Sequence, residues 1–131
     1  MQKRDVKVTA TLGAAGIEWD IDGAKPNASC IDFKRKSGSH AVEFKFDDKT
    51  KSGLRFDCSS PIWVNENTSG SCPPPGVHTD QVEVISCDPD ELSILNKNEG
   101  VARILHYQLN FVDGAGHRIH VDPEFKNGGS K

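Results

Sequence analysis

No stretch of the 131 residues approaches the roughly 20 consecutive apolar positions a helical membrane span requires. No window carries an apolar stripe at helical spacing either, which argues against a helical bundle and an α/β architecture. Basic residues are not in excess: 16 Lys and Arg stand against 19 Asp and Glu, for a net charge of −3. Phosphate backbones are held by clustered Lys and Arg, so a nucleic-acid partner is not expected. The one local basic run, Lys34-Arg35-Lys36, abuts Ser37-Gly38-Ser39 and reads as a solvated turn. Also missing are a Gly-x-Ser-x-Gly elbow, a Cys-x-x-Cys hook, an EF-hand loop and a glycine-rich phosphate cradle.

What the sequence does contain is period-two alternation, the pattern of strands whose side chains point to opposite faces. Val6, Val8, Ala10 and Leu12 form one row, and Ile17, Trp19 and Ile21 the next. Ile31 and Phe33 follow, then Val42, Phe44 and Phe46, then Leu54 and Phe56. Val82 and Val84, Leu92 and Ile94, the long row Leu105, Tyr107, Leu109 and Phe111, and finally Ile119 and Val121 complete the series. Turn residues separate the rows, among them Asp22-Gly23, Ser37-Gly38-Ser39 and Asp113-Gly114-Ala115-Gly116. Strands this regularly punctuated, at 131 residues, predict a single all-β domain, an antiparallel β-sandwich with one face of each sheet solvated.

Residues 59–80 break the pattern. Ser59-Ser60-Pro61-Ile62-Trp63-Val64 reads as a short edge strand, because proline lacks the ladder donor. A polar stretch then runs into Cys72-Pro73-Pro74-Pro75-Gly76, read as a long surface loop ending in a polyproline turn. An aromatic beside a rigid proline run can bind at low entropic cost, which makes Trp63, Pro74 and Pro75 candidates for a partner surface.

Four cysteines, Cys30, Cys58, Cys72 and Cys87, permit two disulfides in three connectivities. The N-terminus, Met1-Gln2-Lys3-Arg4-Asp5-Val6, has no apolar h-region. Cytoplasmic residence and free thiols are therefore expected, with Cys58 turned inward after Leu54 and Phe56. A mature secreted or periplasmic form is compatible with the same residues, as are the sequons at Asn27 and Asn67. Copper is not expected, since the only methionine is Met1 and no His accompanies Cys87; zinc lacks its hook. No metal or cofactor is assigned.

His117 and His120 point to opposite faces of a strand and make a poor ligand pair. His106, His120 and Asp122 share the outward face of the last hairpin, and one register sets His106 opposite Asp122. They read as a solvated face and, at most, part of a partner surface. No catalytic residue is assigned.

The final stretch, Ile119-His120-Val121-Asp122-Pro123-Glu124-Phe125-Lys126-Asn127, resembles the Asp-Pro-x-Ile-x-Asn signature of the bacterial DP-EP family. Tyr107-Gln108-Leu109-Asn110-Phe111 before it, and Gly53-Leu54-Arg55-Phe56 with Pro61-Ile62-Trp63, are similar to the same family and to bacterial inclusion-body proteins. Phe125 stands where the signature has Ile, and Gly128-Gly129 follows Asn127. The resemblance implies an immunoglobulin-like sandwich and supplies no catalytic residue. Together these readings favour a non-catalytic binding or self-association module with a protein partner. The rival is a small hydrolase or thiol enzyme pairing Cys72 or Cys87 with a His.

Overall fold

In the computed structural model, which describes residues 2–25, 30–66, 75–122 and 124–130, the alternating rows become strands in two packed sheets. In chain order they are β1 (Gln2–Gly13), β2 (Gly16–Ile21), β3 (Cys30–Phe33), β4 (His40–Asp48), β5 (Arg55–Phe56) and β6 (Ile62–Glu66). Then come β7 (Val77–His78), β8 (Val82–Asp88), β9 (Glu91–Asn96), β10 (Arg103–Val112), β11 (Arg118–Val121) and β12 (Glu124–Asn127). The smaller sheet runs β2-β1-β4-β9-β8. The larger runs β3-β12-β10-β6-β7, with β5 and β11 also paired to β10.

The expected antiparallel order holds only in part. β1 pairs parallel with β4, β12 with β3, and β6 with β7. After the β1–β2 hairpin the chain crosses to the larger sheet as β3 and returns as β4 beside β1. Parallel neighbours cannot be joined by a tight hairpin, and this excursion through the other sheet supplies the crossover they need. Side-chain alternation is the same for either direction, so the rows did not encode it.

The core lies between β4 and β10, the middle strands of the two layers. Phe44 meets Tyr107 at 5.7 Å between ring centroids, and Phe46 meets Phe111 at 4.5 Å. Phe125 stacks on Tyr107 at 4.1 Å, and Phe56 on Phe111 at 4.7 Å. Aromatic pairs at these spacings add about 0.5–1.5 kcal/mol each beyond the area they bury. Trp19 is half-buried against Phe46 and Phe111, as its inward row requires.

Three expected core positions lie elsewhere. Leu12 is 67% exposed because β1 overhangs its neighbour: the β4 pairing ends at Ala10↔Asp48. Val84 is exposed on edge strand β8, where the ladder shifts between Val84 and Ser86. Cys58 is exposed, because β5 stops at Phe56 and the chain turns, with Ser60 N donating to Asp57 O. Alternation predicts facing only while the strand lasts.

Two further corrections concern strand placement. β6 is flanked by β10 on one side and two-residue β7 on the other, so it is not an edge strand over Val64 and Asn65. Pro61 stands just before it, and its carbonyl accepts the Asn110 amide. β12 carries the chain on past Asp122-Pro123. β11 pairs with residues 109–112 of β10, and β12 with residues 103–106. The interruption thus falls opposite Tyr107 and Gln108. Beyond β12, Gly129 adopts φ +79° and its amide donates to Asn98 Oδ1 at 2.8 Å. A Cβ there would lie 2.4 Å from the Gly100 carbonyl oxygen, so only glycine closes this corner.

Candidate functional site

The outward positions of β10 are the unusual ones. Strands β2 and β4 put Glu18, Asp20, Glu43 and Lys45 on their outer faces, whereas β10 puts His106, Gln108 and Asn110 there. Gln108 is only 3% exposed and Asn110 8%. Their neighbours account for this burial. Trp63 on β6 pairs with Gln108 on one side, and His120 on β11 pairs with Asn110 on the other. The turn through Asp57, Ser59 and Ser60 folds over the end of the row, anchored by Asp57 N donating to Asn110 O at 2.9 Å.

Between these walls is a recess of about 330 Å³. Small-molecule sites begin at about 300 Å³, so the space suits one small ring. Gln108 and Asn110 form its floor, Trp63 one wall, and Arg118, Ile119 and His120 the opposite wall.

Hydrogen bonds fix the floor's polarity. The Ser60 carbonyl can only accept, so the Asn110 amide turns its Nδ2 towards it, at 2.9 Å. Asn110 Oδ1 then faces Gln108 and accepts from Nε2 at 2.6 Å. Gln108 Oε1 is left as the chain's far end, with no donor among the described residues. Trp63 is also fixed: its Nε1–H donates to Ser60 Oγ at 2.8 Å, committing the indole edge and leaving the ring as wall.

Charge is distributed unevenly around the rim. Asp57 lies on the β5–β6 side of β10, with Oδ1 accepting from Ser59 N and Ser59 Oγ. Arg118 and His120 lie across β10, on β11. His120 Nε2 is 3.9 Å from Asp122 Oδ2, while the Arg118 guanidinium has no hydrogen-bond or ion-pair partner among the described residues.

Of the residues singled out from sequence, Trp63 and His120 therefore line one recess. Asp122 is exposed beside His120 rather than opposite His106. The register sets His106 against Asn65 on β6 and Glu124 on β12. Pro75 is exposed, its carbonyl 2.7 Å from His78 Nε2, and does not line the recess. Pro74, Cys72 and both sequons lie outside the described residues.

The free-thiol expectation fails at two cysteines. Cys58 and Cys87 form a disulfide with a Cα–Cα distance of 5.6 Å, joining the turn after β5 to edge strand β8 of the other sheet. Cys87 is thus unavailable as a nucleophile. Cys30 is exposed at the start of β3. His117 serves its own turn, 3.2 Å from Asp113 Oδ2, away from His120. No group of three or more His, Cys, Asp or Glu is gathered for a metal among the described residues. No described helix is long and apolar enough to cross a membrane.

Gln108, Asn110, Arg118 and the 57–60 turn were missed from sequence. The available signal was a strand with uncharged amides at two successive outward positions, Gln108 and Asn110, where β2 and β4 carry ions. Compared with known proteins, the chain matches no family model and shows no significant similarity to a curated protein.

Proposed function

We propose that the chain is a non-catalytic binding module that takes a small ligand in the recess on the outer face of the larger sheet. One observation carries this reading: two amide side chains are almost fully buried on a face that strands normally expose, and an accessible concavity stands above them. Burying amides that make only part of their hydrogen bonds costs about 1–3 kcal/mol each, a cost tolerated where a ligand completes the set.

Catalysis receives less support. The Ser59 and Ser60 hydroxyls are engaged with Asp57 and Trp63, and neither meets His120 in a hydrogen bond among the described residues. Edge pairing with a second copy also receives less. β7 has two residues, β3 has four, and β8 is irregular at Ile85, all features that blunt an edge.

An immunoglobulin-like arrangement and DP-EP membership belong to the same proposal. Their support is the two-layer packing and the burial of Phe125 and Asn127, the apolar and Asn positions of the signature. The disulfide supports an oxidising compartment, periplasmic or extracellular, over the cytoplasm.

Protein-observed NMR with a panel of methyl glycosides, aromatic carboxylates and free amino acids tests the site. Shifts should concentrate on the Trp63 indole N–H and the Gln108 and Asn110 side-chain amides. Trp63→Ala should remove them while the thermal transition stays cooperative. Shifts confined to other surfaces, or none, would overturn the reading.

A further inference from the structure

The recess is chemically polarised, and the polarity narrows its occupant. Because the Ser60 carbonyl orients Asn110, and Asn110 orients Gln108, the floor presents an acceptor, Gln108 Oε1, and not a donor. A ligand seated there must bring a hydroxyl or N–H. Beside Asn110, at the Ser60 end of the relay, Asp57 is a second acceptor, since a carboxylate has lone pairs beyond those Ser59 uses. Across β10, on β11, the rim is cationic, with Arg118 unpartnered among the described residues and His120 beside it. A planar guanidinium favours a carboxylate, which it can hold through two parallel hydrogen bonds.

Trp63 adds the third requirement. Its N–H is already given to Ser60, so the indole offers its π surface. That surface is electron-rich and prefers the weakly positive C–H edge of a partner. Trp63 and His120 flank β10 on opposite sides, opposite Gln108 and Asn110 respectively, and the recess of about 330 Å³ between their walls admits one saturated ring with its substituents.

We infer that the recess binds an acidic sugar, a pyranose carrying a carboxylate, as in a uronic acid. Its ring C–H face packs on Trp63, its hydroxyls donate to Gln108 Oε1 and Asp57, and its carboxylate pairs with Arg118. The inference rests on the recess being a binding site, as proposed above. A free amino acid meets the charge pattern less well. Its ammonium needs several acceptors close together, whereas Gln108 Oε1 and the Asp57 carboxylate stand two residues apart along β10 and suit hydroxyls spread around a ring.

The test compares methyl β-D-glucuronide, methyl β-D-glucoside and L-phenylalanine, each titrated into the disulfide-intact protein and followed at the Trp63 indole N–H. The uronide should bind at least ~10-fold more tightly than the glucoside, about one charge-assisted contact. Arg118→Gln should erase that difference, the uronide losing at least ~10-fold more affinity than the glucoside. Gln108→Leu should weaken both sugars, with a melting curve confirming that the variant is folded. Equal affinities that Arg118→Gln leaves unchanged would overturn the acidic-sugar inference and leave the recess standing as a sugar site. Binding of L-phenylalanine alone would overturn the inference in favour of an amino acid. If none of the three moves the Trp63, Gln108 or Asn110 signals while other members of the wider panel do, the inference fails alone. If no probe moves them, both readings fail.

Discussion

Asn96 of β9 and Asn127 of β12 face each other across the interior, and each side-chain Nδ2 donates to the other's Oδ1 at 2.9 Å. Both are essentially inaccessible to solvent. The pair is the one direct side-chain amide exchange between the two sheets among the described residues, and it ties the end of the last strand to the smaller sheet. Replacing either residue alone by Leu should cost about 1–3 kcal/mol, because the surviving amide is left buried without a partner. The double Leu variant should recover most of that loss. Urea unfolding of the four proteins measures the coupling, and additive losses would show that the reciprocal pair does not form.

The Cys58–Cys87 bond closes a loop between residues 29 apart in sequence and links the two sheets at one edge. By loop-closure entropy it should contribute about 3.6 kcal/mol. Reduction, or Cys58→Ser with Cys87→Ser, should lower the melting temperature by several degrees while the strand-dominated spectrum persists. Mass spectrometry before and after reduction should locate the bond between the peptides bearing these two residues.

Glu66 clasps the segment leading from β7 to β8. Its Oε1 accepts from Thr79 Oγ1 at 2.6 Å and from Arg103 Nη1 at 2.8 Å. The Thr79 hydroxyl, then the Arg103 guanidinium, hold the carboxyl below the ordinary value of 4.5 against the opposing effect of partial burial. A folded-state value below the unfolded one means the stabilisation is fully present above pH 4.5 and lost as pH falls through the lower, folded value. Protection factors for the amides of residues 77–81, corrected for the intrinsic slowing of exchange in acid, should therefore fall as the solution is acidified below that point. Glu66→Gln should show lower protection at neutral pH and little further change in protection on acidification.

Much of the architecture was readable because burial follows alternation. Val42, Phe44 and Phe46, and Leu105, Tyr107, Leu109 and Phe111, lie inside as their spacing requires. Strand direction was not readable, since Val6 and Val8 would face the core beside either a parallel or an antiparallel β4. The Cys58 thiol was misplaced because nothing in Leu54, Phe56, Cys58 marks the strand's end at Phe56. Of the candidate site, Trp63 and His120 were visible as an aromatic and a titratable group. Gln108 and Asn110 were not, because their importance comes from being covered. That covering depends on which strands flank β10, a property of the assembled sheet.

The place of β10 in the chain has a consequence for biogenesis. Every strand of the smaller sheet lies within the first 96 residues, so all of that layer emerges ahead of β10 and can assemble first. The larger layer has no such option: β5, β6, β11 and β12 all pair with a strand that begins at Arg103. Until it emerges, Phe33, Phe56, Ile62 and Val64 lie on strands whose own sheet is incomplete. The nascent protein therefore passes through a stage with one sheet formed and its apolar face uncovered, the stage at which a chaperone would find most to hold.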